Sequence, residues 1–81
     1  MRLPRDWSGR DVARALERFG YVVTRQTGSH LRLTKQRGGE HHVTIPDHDA
    51  LRAGTLASIL REVTEHLGME RDELLRQLSD G

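Results

Sequence analysis

Residues 29–35 read Ser29-His30-Leu31-Arg32-Leu33-Thr34-Lys35, and their alternation decides the fold. Leu31 and Leu33 fall on one side while His30, Arg32 and Thr34 fall on the other, the pattern of a strand with one apolar and one polar face. Gln36 to Glu40, with its Gly38-Gly39 pair, closes a hairpin, and His41 to Ile45 follows as the next strand, ended by Pro46. Upstream, Tyr21 to Arg25 is rich in β-formers, and Gln26-Thr27-Gly28 turns the chain into Ser29. Loop lengths then set a register. With Lys35 opposite His41, Arg32 meets Thr44, Leu31 meets Ile45 and His30 meets Pro46. With Arg25 opposite Ser29, Val23 meets Leu31 and Thr24 meets His30. Both loops place Tyr21, Val23, Leu31, Leu33, Val43 and Ile45 on one face, where a slip of one residue would scatter them. The other face carries Thr24, His30, Arg32, Thr34, His42 and Thr44 and is expected to be open, polar and basic.

Helices flank the strands. Ser8 is a good N-cap, and Trp7 and Val12 stand at the two positions of a hydrophobic staple. Val12, Leu16 and Phe19 continue the apolar stripe, so a helix is expected over residues 8–19, stopped by Gly20. After the strands, Thr55 is the expected N-cap of a second helix carrying Leu56, Ile59, Leu60, Val63 and Leu67, ended by Gly68. Glu70 to about Leu78 reads as a short third helix whose acidic start suits the positive end of a helix. The order α-β-β-β-α with a terminal helix is an α+β fold, a three-stranded antiparallel sheet with helices on one face.

With 81 residues, 35% of them hydrophobic, the chain has room for one domain (1–81) and one small aliphatic core. No cysteine is present, which removes disulfides and thiolate metal sites and suits a reducing cytoplasm. No apolar run reaches the length of a membrane span, and residues 1–20 lack the apolar stretch of a signal peptide, so a cytoplasmic chain without membrane partners is expected. The net charge of +1 is unevenly divided. Residues 1–45 hold nine Lys and Arg against four acids, a net +5, whereas residues 46–81 hold four Arg against eight acids, a net −4. A basic first half suits a polyanionic partner, and equally a solvated surface.

Gly28-Ser29-His30 is a short signal on its own. Combined in this order with Leu16 to Gly20, with Val43-Thr44-Ile45-Pro46-Asp47-His48 and with Gly54-Thr55-Leu56 to Ile59-Leu60, it makes the chain resemble the HicA (YcfA-like) toxin family over residues 3–68. The resemblance implies a fold like a double-stranded-RNA-binding domain and an mRNA interferase activity within a type II toxin–antitoxin system. It also implies neutralisation by a HicB-like antitoxin, and a catalytic histidine after Gly-Ser, here His30. The chain departs from the family's pattern at Leu31, where a histidine or aromatic residue is often found, and in the tail beyond Gly68.

Elementary chemistry is compatible with that role. RNA carries its own nucleophile, the 2′-hydroxyl, so cleavage needs a proton acceptor, a proton donor and positive charge near the phosphorus. Histidine serves either proton role near neutral pH, and Arg32 on the same face can stabilise developing charge. Lys35 falls on the other face by parity. Ser29 and His48 are further supporting candidates, His48 as a second acid–base group or as a loop residue capping backbone groups. His41 and His42 are adjacent on a strand and point to opposite faces, so with no Cys and no dedicated carboxylate cluster neither a metal nor another cofactor is expected. His66, in the last turn of the second helix, reads as a surface residue. Two other functions fit the same residues: an RNA-binding module of this fold without catalysis, and a protein-interaction domain whose open face meets its partner.

Overall fold

The computed structural model describes residues 6–79; residues 3–5 of the expected core, and Arg2 and Arg5 of the basic half, lie outside the described residues. In chain order it contains α1 (Gly9–Leu16), a single 3-10 turn (Glu17–Phe19), β1 (Val22–Thr27), β2 (His30–Lys35), β3 (His41–Pro46), α2 (Ala53–Leu67) and α3 (Arg71–Ser79). The strands form one antiparallel sheet in the order β1-β2-β3, and α1 and α2 pack on one of its faces, giving the expected α+β architecture.

α1 starts where its sequence dictates. The Ser8 hydroxyl accepts a hydrogen bond from the Asp11 amide at 3.0 Å, and the Asp11 carboxylate accepts one from the Ser8 amide at 3.0 Å. This capping box satisfies two amides left orphaned at a helix start, and the Ser8 backbone bond, reinforced by the Ser8 side chain, holds the Asp11 carboxyl below its ordinary value. Trp7 packs on the core and Val12 is buried in it, as the staple requires. The second helix begins earlier than expected: its N-cap is Arg52, without a side-chain cap, and Thr55 lies inside its first turn. The Leu51 amide donates to the Trp7 carbonyl at 2.8 Å, which fixes the chain just before the helix and lets it start directly.

The β2–β3 pairing follows the expected register throughout, from Lys35 opposite His41 to Arg32 opposite Thr44 and His30 opposite Pro46. The β1–β2 pairing does not. Its turn is the two residues Gly28-Ser29, so that Thr27 faces His30, Gln26 faces Leu31 and Arg25 faces Arg32. Gly28 has φ of 52°, the left-handed value that the first central residue of a type II′ hairpin turn needs and glycine supplies without strain. Beyond Arg25 a β-bulge at Thr24 shifts the register, and Val23 pairs with Leu33 rather than Leu31. Val23 keeps to the helix-packed side but at the sheet edge, where it is 49% exposed.

Among the described residues, fifteen buried apolar side chains make one core between sheet and helices, with Leu16, Tyr21, Leu33, Ile45, Leu56 and Leu60 among the fully buried. Burying each large aliphatic side chain stabilises the fold by about 1.5–3 kcal/mol, which is why Leu31 and Leu33 fix the sheet's facing. α3 adds Leu74, Leu75 and Leu78 to this core, and its Gln77 carbonyl accepts a hydrogen bond from Arg18.

Candidate functional site

The sheet face turned away from the helices carries His30 and Arg32, while Ser29 lies in the turn before β2 and His48 in the loop after β3. His30 opens β2 directly after the Gly28-Ser29 turn and is exposed, as are Ser29, Arg32 and His48. Arg32 follows His30 by two residues on the same strand and so shares its face. Lys35 is buried on the other parity, where its ammonium donates to the Arg37 carbonyl.

Backbone contacts fix the loop after β3 beside His30. The Ser29 carbonyl accepts a hydrogen bond from the Asp47 amide at 2.7 Å, and the His48 carbonyl accepts one from the Gly9 amide at 3.0 Å. Arg10 grips the Asp47 carboxylate with two nitrogens, at 3.1 and 3.0 Å. Gly9 is packed so closely that a Cβ there would lie 1.9 Å from the Pro46 carbonyl oxygen. The start of α1, the Pro46-Asp47-His48 loop and the turn before His30 thus form one clamped unit. The structure brings the backbones of Ser29 and Asp47 together, while no hydrogen bond or ring contact joins the His30 and His48 side chains among the described residues.

A hydrogen-bonded chain crosses the same face. Glu40 meets His42 Nε2 at 3.2 Å, His42 Nδ1 meets the Thr34 hydroxyl at 2.8 Å, and Thr34 meets the Thr24 hydroxyl at 2.8 Å. Thr24 in turn donates to the Arg32 carbonyl at 3.4 Å. Thr34, expected to be open, is therefore covered by Thr24 and His42 and only 7% exposed.

On the helix side, the Tyr21 hydroxyl and His41 Nδ1 are 2.6 Å apart, and the His41 ring stacks on His66 with centroids 4.4 Å apart. His66 is therefore a packed residue, with Nε2 buried, and not the surface group expected. Loss of hydration, followed by the neighbouring His66, holds His41 below the ordinary histidine value. Burial, then the negative Glu62, pushes Tyr21 up to about 12. As parity requires, His41 and His42 serve opposite faces, and among the described residues no three His, Asp or Glu side chains gather as a metal-ligating group.

Sequence reasoning missed three features. Arg25 stands opposite Arg32 because the turn is Gly28-Ser29 and not the longer Gln26-Thr27-Gly28, which the residue pattern does not announce. The Arg10–Asp47 pair spans 37 positions, although the Pro-Asp-His motif drew notice to one partner. The close packing of Gly9 on the Pro46 carbonyl carries no signal in the sequence.

The model of a family described as HicA toxin of bacterial toxin-antitoxin matches residues 9–64, from the first residue of α1 through most of α2. The matched stretch contains all three strands, the Gly28-Ser29 turn and the clamped loop, and leaves α3 outside. No curated protein and no solved structure gives a significant match. Among the described residues no helix is long and apolar enough to cross a membrane.

Proposed function

The chain belongs to the HicA toxin family, and from that membership we propose that it is an endoribonuclease, an mRNA interferase, in which His30 handles the protons of the reaction. The observation that carries this reading is an exposed histidine at the mouth of β2, on a solvent-facing sheet with Arg32 two residues away. His30 accepts the proton of an RNA 2′-hydroxyl as its oxygen attacks the adjacent phosphorus. The bond from phosphorus to the 5′-oxygen breaks, and the imidazolium returns the proton to the departing oxygen. Arg32 stabilises the charge that develops on the phosphoryl oxygens. Ser29 positions the turn through its backbone bond to Asp47, and His48 is the second group able to exchange a proton near the scissile bond. No step calls for a metal or an organic cofactor.

Family membership brings an antitoxin partner. A HicB-like protein in the same cytoplasm, covering the open face and turning acidic side chains towards Arg32, would silence the toxin by direct occlusion. Residues 3–68 then carry the toxin core within one domain spanning 1–81.

The test is cleavage of a single-stranded RNA by the purified chain in chelator-containing buffer. The His30→Ala variant is expected to lose about 10²–10⁴-fold in rate, the usual scale for a general acid–base group, with an unchanged circular dichroism spectrum. Wild-type cleavage by the folded variant removes His30 from the reaction. Cleavage that collapses with chelator and returns with one divalent metal removes the proton-transfer scheme above.

A further inference from the structure

Arg25 and Arg32 are cross-strand partners, directly opposite each other on β1 and β2. Both are exposed, and among the described residues neither has an ion-pair or hydrogen-bond partner for its guanidinium. Like charges at directly opposed positions repel and weaken a sheet, so the pairing runs against the fold's own stability. The two-residue Gly28-Ser29 turn sets it, running Thr27 opposite His30, Gln26 opposite Leu31 and Arg25 opposite Arg32, and the bulge at Thr24 then returns Val23 to the helix side. Gln26 and Val23 do line the groove between β1 and α1, while Val22 and Thr24 line the opposite face beside Thr34. The bulge is also stitched down, by the Thr24 hydroxyl to Thr34 and to the Arg32 carbonyl, and through Thr34 to His42 on β3. Gln26 with Leu31 follows towards the turn on the helix side, and the next pair on the open face is Thr27 with His30. An unpartnered pair of guanidiniums is therefore held one step from the exposed histidine, on the same face.

We propose that Arg25 and Arg32 together form a phosphodiester-binding site adjacent to His30, with Arg25 as an RNA-positioning residue that the tight Gly28-Ser29 turn places opposite Arg32. Two planar guanidiniums present forked donors to the non-bridging oxygens of one phosphate, and the anion removes the repulsion that the empty pair carries. The inference rests on the ribonuclease reading of the same face. It adds a substrate contact from β1, which otherwise supplies only the sheet edge.

The experiment uses the full chain with His30→Ala as parent, so that RNA binds without being cut, and a fluorescein-labelled single-stranded RNA of mixed sequence titrated at several salt concentrations. Adding Arg25→Gln is expected to weaken binding about tenfold at low salt, the scale of one charge-assisted contact. It is also expected to lower the slope of log affinity against log salt by about 0.7, one phosphate contact on a single strand. Arg25→Lys keeps the slope and recovers part of the affinity. Arg71→Gln, the same charge change on α3, leaves both at the parent's values. The thermal midpoint of Arg25→Gln stays level or rises, because a repulsion is removed. Parent-like affinity and slope in Arg25→Gln overturn the proposal and leave the arginine pair to a protein partner. A weakened Arg25→Gln with a lowered midpoint that Arg25→Lys shares overturns it in favour of a structural role. If the parent binds no RNA and the unsubstituted chain cuts none, the ribonuclease reading itself fails and this site falls with it.

Discussion

At the scale of single residues, a missing side chain positions the candidate face as much as any that is present. Gly9 donates its amide to the His48 carbonyl and leaves no room for a Cβ against the Pro46 carbonyl. Both contacts are with backbone, which cannot swing aside as a flexible side chain would. Gly9→Ala must therefore push the start of α1 off the loop, loosening the Gly9–His48 bond and the Arg10–Asp47 pair beside it. The expected cost is about 1–3 kcal/mol, the usual range for forcing atoms into filled space, read as a lowered urea midpoint, with slower RNA cleavage although Gly9 touches no substrate. A wild-type midpoint would mean that the loop yields freely and that the clamp is not rigid. His30 and Arg32 could be placed on one exposed face from alternation alone. Gly9 could not, because its contact joins backbones that are distant in sequence.

At the scale of elements, the two hairpins show what alternation can and cannot tell. β2 and β3 each alternate without interruption around a glycine-bearing loop, and each of the expected pairings is present. The β1–β2 hairpin has a shorter turn, and its alternation breaks at Thr24. A bulge leaves no trace in hydrophobic pattern when the residues around it are polar, as Thr24, Arg25 and Gln26 are. What maintains the bulge is visible only in three dimensions, where the Thr34 hydroxyl joins Thr24 to His42. Thr34→Val keeps the shape of the side chain and removes both bonds. It is expected to destabilise the fold by about 1 kcal/mol, and to speed amide hydrogen exchange at Thr24 and Arg25 more than at Leu33. RNA binding should weaken in step, although no group proposed to touch RNA has changed. Unchanged exchange at Thr24 and Arg25 would show that the backbone ladder alone holds the bulge.

At the scale of the whole molecule, sheet and α2 meet around a group of titratable residues on the helix side of the sheet, and this group contributes to how the fold responds to pH. His41 on β3 faces Tyr21 and, from α2, His66 and Glu62, with Lys35 and His42 nearby on the sheet. Desolvation first, and then the charge of His66, keeps a proton off His41 in the folded state, while Glu62 acts in the opposite sense. The unfolded chain has no such constraint and takes that proton near pH 6.5. Below this value the unfolded state binds more protons than the native one, so stability falls as the pH drops towards the depressed folded value. The alkaline side has the opposite cause with the same result. Tyr21 keeps its proton in the fold until about pH 12, with an ordinary value of 10.0, because burial and Glu62 disfavour the phenolate. Between those two values the unfolded chain releases the proton first, and stability falls as pH rises. These two residues therefore contribute a plateau between roughly pH 7 and 9.5, with losses on both sides. Urea midpoints measured from pH 5 to 11 should trace it, and His41→Gln should flatten the acid side while leaving the alkaline side in place. An acid limb as steep in His41→Gln as in the wild type would assign that loss to other groups, and the stacked histidines would then be neutral passengers in the packing of α2 on the sheet.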